Sequence, residues 1–263
     1  MRMKTSPSND VVSPTRQTLR LAHAIARSGY TSRRKAEDLI RAGLVRVNGR
    51  IVTDLATRVR PGEDVIEVAG HRIDPNPPSI YILLYKPAGV VSTLRDPRGR
   101  KTVADLIRPL GVRLFPVGRL DYHSEGLLIL TNDGDLALRL THPRYGCPKT
   151  YWVKVQGRPN RATLEQIRAG IWLDGRRRVP LRVTPIRYAP KNTWLEVVLQ
   201  EGRKHHIRRM FQKVGHPVLK LIRVAIGPIR VGDLRPGQYR FLLPREVDQL
   251  RALTSSAETV GSE

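Results

Sequence analysis

The sequence predicts an α+β protein in two parts: a small basic unit, then a larger domain with a mainly antiparallel or mixed central sheet flanked by helices. Three observations predict it. From Ile80 onward short apolar runs recur (YILLY, GLLILT, TYWVKVQG, TWLEVVLQ, PVLKLIRVAIG), with helical stretches at about 135–141, 161–169 and 204–214 between them. The preceding segment has another texture, two short amphipathic helices followed by a hairpin. Between the two parts, DPNPPS carries three prolines and no apolar period, a boundary composition.

Taken in order, residues 1–16 are rich in Ser, Pro, Thr and charge and are expected to form a disordered tail. Residues 17–70 form the small unit. Leu21, Ala22, Ile25 and Ala26 share one helix face, and Gly29 is suited to stop that helix. Ser32 is placed to cap the next helix, RRKAEDLIRAG, with Ala36, Leu39 and Ile40 inward and Gly43 as its stop. LVRVNGRIV reads as two strands across an Asn48-Gly49 turn, and Arg60-Pro61-Gly62-Glu63 turns the chain into DVIEVAG. A linker is expected over 71–79, the larger domain over 80–253, and a frayed tail over 254–263.

Charge narrows the function. Lys and Arg number 47 against 23 acids in 263 residues, a formal charge of +24 spread along the chain. Such self-repulsion does not help folding, so a polyanionic partner is the physical reason for it, and nucleic acid fits best. No apolar run of about 18 residues is present to span a bilayer, and the N-terminus lacks the apolar core of a secretory signal. Aromatics make up 5%, which argues against a platform that stacks single-stranded bases. One cysteine, Cys147, excludes a disulfide framework or a Cys-rich zinc site, and the seven histidines show no HxxxH or HExxH spacing. No GxGxxG or Walker loop is present. The expectation is a cytosolic protein with neither cofactor nor metal.

Three constellations stand out. Arg33, Arg34 and Lys35 occupy the first turn of a helix, where the macrodipole is already positive. Cations set against the local field, beside free turn amides, suggest an external phosphate; the plain alternative is a solvated charged face. In PVGRLDYHSEGLLILTNDGDL, Asp133 is placed to cap the helix that follows, but no helix start needs Asp121. An isolated Asp there would ordinarily bond its own loop amides. Glu125 is a second acid nearby, and a carboxylate pair is what glycoside hydrolysis requires. In EGRKHHIRRMFQKVGHP, Ile207, Met210, Phe211 and Val214 make an apolar helix face, ended by Gly215 and Pro217. Arg208 falls on the flank of that face, where it can enter a cleft; Arg203, Lys204 and Arg209 are better placed for phosphates, or for plain solvation.

These segments carry a resemblance. LAHAIARSGYTSRRKAEDLIRAGLVRVNG resembles the S4 RNA-binding domain, and GRLDYHSEGLLILTNDG resembles the motif holding the catalytic aspartate of pseudouridine synthases of the RsuA/RluB/RluE/RluF group. YKPAGVVST, KTYWVKVQG and EGRKHHIRRMF match the group's other motifs in its order, over about 18–250 in all. Within that group the likeness is nearest the bacterial B type, which acts on large-subunit RNA. The resemblance implies a cofactor-free isomerase that converts a specific uridine of ribosomal RNA, 23S above all, to pseudouridine. It implies Asp121 as catalytic carboxylate, Tyr151 as the tyrosine that stacks on the base and acts as general base, and Arg208 as the partner of the aspartate. Arg33, Arg34, Lys35, Arg119, Arg203, Lys204 and Arg209 become RNA contacts to a stem-loop, with no membrane and no obligate protein partner. One departure is His206, where the group often has Gln.

The chemistry suits these residues. Isomerisation breaks N1–C1′ and joins C5 to C1′ with no redox change, so a positioned, ionised carboxylate is the main need. A buried guanidinium keeps such a carboxylate charged, and Arg does this better than Lys because it stays protonated and forms a planar fork. Charge and the S4-like unit alone fit equally a non-catalytic RNA-binding ribosome-assembly factor that retains the fold. A hydrolase using Asp121 and Glu125 is the remote third reading.

Overall fold

The computed structural model describes residues 18–200 and 205–255, in two compact units, Met1–Pro78 and Ser79–Glu263. In the first, helices Leu21–Arg27 and Arg33–Arg41 pack on a four-stranded antiparallel sheet in the order Arg50–Ile51, Val45–Val47, Ile66–Val68, His71–Ile73. Leu21, Ile25, Ala36, Ile40, Val45, Ile66 and Val68 are its core. The Ser32 hydroxyl accepts from Lys35 N at 3.3 Å, the predicted cap. Asn48 and Gly49 both take left-handed φ, 50° and 78°, which matches the twist of a two-residue hairpin.

The expected linker over 71–79 needs a correction, since its first three residues, His71–Ile73, are a strand paired with Ile66–Val68. A second hairpin turn, Ala69 (φ 49°) and Gly70 (φ 82°), makes this possible. Alanine is a poor signal for a left-handed turn, so VAGHRI did not read as a hairpin.

The second unit is organised by a nine-stranded sheet. Its main path runs Arg182–Ala189, Asn192–Leu199, Lys149–Gln156, Val218–Ile226, Glu125–Thr131, Tyr81–Lys86, Tyr239–Phe241. Both faces are covered, which explains why its inner strands are apolar throughout rather than alternating. Ile82, Leu84, Leu128 and Leu130 meet the helices Val103–Ile107, Arg161–Ala169 and His206–Lys213 on one face. Leu83, Leu127 and Ile129 meet Gly134–Thr141 and Pro244–Ser255 on the other. The helix Pro244–Ser255 includes two residues of the expected C-terminal tail. Thr254 is buried and its hydroxyl donates to Leu250 O and Arg251 O, so the helix holds it. The expected tails at 1–16 and 256–263 lie outside the described residues.

Among the described residues the main strands pair antiparallel except at one place. There Val218–Ile226 runs parallel to Glu125–Thr131, with Ile222 beside Glu125 and Arg223 beside Gly126. Gly126 is obligatory at this junction: a Cβ on it would lie 2.2 Å from Arg223 O and 2.7 Å from Arg223 N. Its φ of 106° disfavours a side chain as well. Register then sets one transverse row across four strands, Lys86, Gly126, Arg223, Tyr151. Gly126→Ala should cost on the order of 3 kcal/mol of stability, because backbone rather than a flexible side chain must move. Urea unfolding checks this, and a loss too small to measure would mean the two strands separate freely.

Candidate active site

Asp121 lies in the loop between the strands Phe115–Pro116 and Glu125–Thr131. The loop is clamped through its backbone. Ser92 Oγ donates to Leu120 O at 2.8 Å and accepts from Leu120 N at 3.1 Å. Gly89 N donates to Tyr122 O, and Ser124 N closes a turn on Asp121 O. The YKPAGVVST segment therefore works as a brace for this loop. The Asp121 carboxylate itself accepts no hydrogen bond among the described residues, so the ordinary use of a loop aspartate does not apply. Its nearest titratable neighbour among the ion pairs there is His205, with Nε2 3.6 Å from the carboxylate. His205 opens the helix His206–Lys213 in a left-handed conformation, φ 54°.

Asp121 lines a cleft of about 280 Å³ together with Arg119, Lys149, Tyr151, His205 and Arg223. Tyr151 is buried on the strand Lys149–Gln156, opposite Arg223 in register. Lys86, fully buried, donates to Pro87 O at 2.9 Å and to Ser124 O at 2.7 Å. Burial pulls its pKa down to about 8; the negative Asp121 and Glu125 resist the shift and Arg223 adds to it. Lys149 donates to Leu140 O and Cys147 O and is lowered by burial too. Burial pushes the Cys147 thiol up, so it stays protonated.

The other expected site residues fall out differently. Arg208 makes no ion pair with Asp121 here. From the flank of its helix it donates to Val218 O at 3.2 Å and to His123 O at 3.3 Å, bracing the loop two residues past the aspartate. Arg209 is engaged by Asp174 in a two-bond pair, both 2.7 Å, at an exposed site. Exposed pairs of this kind are weak, so a phosphate could compete for it. Glu125 is paired with Lys220 at 3.0 Å, which removes the second available carboxylate that a hydrolase would need. Arg119 reaches the cleft without a partner among the described residues. Arg33 contacts His23 Nε2 at 2.7 Å; Arg34 and Lys35 are exposed and have no partner among the described residues. Arg203 and Lys204 lie outside the described residues.

With this geometry in hand, comparison with known proteins is decisive. The RNA pseudouridylate synthase family model matches residues 80–213, and the S4 domain model matches 19–65. An RNA pseudouridine synthase of Aquifex aeolicus is 46% identical over 233 residues, 88% of this chain and 93% of that one. The ribosomal large subunit pseudouridine synthase B of Bacillus subtilis is 43% identical over 236 residues, 89% of this chain and 96% of the relative. The chain is an RsuA-type pseudouridine synthase with an N-terminal S4 domain. A crystal structure of a pseudouridylate synthase, 30% identical, superposes with a TM-score of 0.62 over 88% of the synthase and 99% of that chain.

Sequence reasoning passed over four groups that the fold gathers around Asp121 or in its cleft: Lys86, Lys149, His205 and Arg223. A signal existed for two of them. Lys86 ends the apolar run YILLYK, and Arg223 interrupts VLKLIRVAI; a cation within a buried strand must have a partner or a use. Lys86 allows a test. In the unfolded chain it holds its proton to the ordinary value of 10.5, while in the fold it loses it near 8. Between those values the unfolded state binds more protons, so rising pH stabilises the fold. Measured against Lys86→Met, the unfolding free energy of the wild type should gain from pH 8 to pH 10.5. A pH-independent difference would show that the buried lysine titrates normally.

Proposed function

We propose that the synthase isomerises a uridine of ribosomal RNA, in the large subunit, with Asp121 as the catalytic carboxylate. The observation that carries this is the state of Asp121: its loop is clamped through its backbone while its carboxylate accepts no hydrogen bond among the described residues and lines a cleft with a buried tyrosine. The name of the Bacillus subtilis relative supports the large-subunit target, and the S4 domain supports RNA as the ligand.

A uracil stacked in a duplex cannot reach this cleft, so the nucleotide is flipped out. Tyr151 offers the flat neighbour that the base needs. Asp121 either attacks C1′ or assists loss of the 2′ proton to a glycal. In both routes the N1–C1′ bond breaks and its electron pair stays with the uracil. The base turns and C5 bonds C1′, while the Asp121–C1′ bond breaks in the first route or the proton taken from C2′ is returned to it in the second. The C5 proton then leaves and N1 is protonated, so atoms and electrons balance without a redox partner. Arg208 braces the aspartate loop, a supporting part rather than the direct partner expected from sequence. Among the described residues no helix is long and apolar enough to cross a membrane.

Asp121→Asn keeps the shape and removes the charge. It should lower pseudouridine formation by roughly 10⁴-fold or more, the scale for a reacting group, and leave RNA binding intact. Mapping pseudouridines on ribosomal RNA treated with each protein checks this. Identical maps would favour an assembly factor that retains the fold. In the S4 domain, replacing Arg33, Arg34 and Lys35 with Ala should reduce the slope of log K against log salt by about 2 to 3, at about 0.9 per lost duplex phosphate contact. Filter binding over a salt series reads it, and an unchanged slope would make these cations a solvated face.

A further inference from the structure

Arg223 sits in the floor of the cleft with more donors than the protein supplies acceptors. It is 3% exposed. Its Nε donates to Leu127 O at 2.8 Å, which fixes one edge of the guanidinium. Nη2 is buried and has no partner among the described residues. A buried charged group left in this state is costly unless something else meets it. No carboxylate bonds it among the described residues. The ionisable groups that feel its charge are Lys86, Lys149 and the protonated thiol of Cys147. Both lysines direct their Nζ at backbone carbonyls, so of these three cations Arg223 is the one with a buried nitrogen that has no partner among the described residues.

Placement says what surrounds the guanidinium. Arg223 and Tyr151 are cross-strand partners, so their side chains leave the sheet on the same face. On the other side of Arg223 stands Gly126, which has no side chain. The cleft that both residues line also holds Asp121. A flipped nucleotide would send its base into such a floor, while its phosphates stay with the RNA strand at the mouth. Uracil offers two carbonyl oxygens there. When N1–C1′ breaks, the electron pair on the base spreads over N1, O2 and O4, so a fixed guanidinium donor is worth more in the transition state than before it.

The geometry points to Arg223 as the residue that binds a carbonyl oxygen of the flipped uracil and holds the base's negative charge while it is detached from C1′. The inference rests on Asp121 marking the reacting site.

The test uses the full chain and large-subunit RNA labelled with tritium at uridine C5, whose release reports isomerisation. Arg223→Met, which keeps an unbranched apolar stem without donors, should lower kcat by about 10²–10³-fold while KM changes by less than about threefold. Arg223→Lys should recover part of that loss. Arg223→Ala should be rescued at least in part by added methylguanidinium, which a purely structural role would not allow. Thermal melts identify the folded fraction of each variant. Three results would overturn the proposal: activity loss that simply follows the unfolded fraction, with no gain from methylguanidinium or from Lys over Met; a raised KM and shallower salt slope with kcat intact, which would make the ligand a phosphate; or unchanged kinetics in Arg223→Met. If the wild type released no tritium, the Asp121 site itself would fall, and this proposal with it.

Discussion

Much of the catalytic unit depends on the place where the strands Glu125–Thr131 and Val218–Ile226 run side by side in parallel. Backbone from Arg223 passes so close to Gly126 that a methyl group would overlap a carbonyl oxygen. That contact sets the register of these two strands, and through the antiparallel pairing of Tyr151 with Arg223 it sets the register of a third. An interaction between two pieces of backbone therefore decides which side chains share the cleft. A one-residue slip would turn Arg223 and Tyr151 to opposite faces.

Electrostatics follows from this geometry. The row of Lys86, Gly126, Arg223 and Tyr151 puts two cations on either side of a residue with no side chain. Burial disfavours the charge on Lys86 and repulsion from Arg223 adds to this, which is why Lys86 loses its proton more readily than in water. The protein offsets this by aiming lysine ammonium groups at carbonyls and by keeping Asp121 and Glu125 near Lys86. Positive charge thus lies close to the cleft that Asp121 lines.

The S4 domain adds a different kind of recognition. Its core is small and apolar, while the start of the helix Arg33–Arg41 carries three exposed cations and no acid. Helix stability alone disfavours that arrangement, since the free amides there already carry positive charge. Under the proposed function, the S4 domain would supply affinity for phosphate and the cleft discrimination of a uracil, a division between positioning contacts and chemistry common in nucleic-acid enzymes.

The sequence by itself determined the two-part organisation, the S4 hairpin at Asn48-Gly49, the principal strands and the helix around Ile207, because periodicity and turn chemistry are local properties. It also singled out Asp121, as an acid with no helix to cap. It did not show that Arg208 would turn to backbone carbonyls, that Arg209 would be taken by Asp174, or that Glu125 would be held by Lys220. Long side chains choose among partners that only packing brings near. The short hairpin at Ala69-Gly70 and the extension of the last helix through Thr254 were hidden for a related reason, since tertiary contacts overrode weak local signals. What the tertiary structure alone decided was the company of the Asp121 loop: Ser92 as its clamp, and Lys86, Tyr151 and Arg223 in one row. Those residues lie far apart along the chain and meet only because a parallel junction at a glycine fixes the register of the sheet.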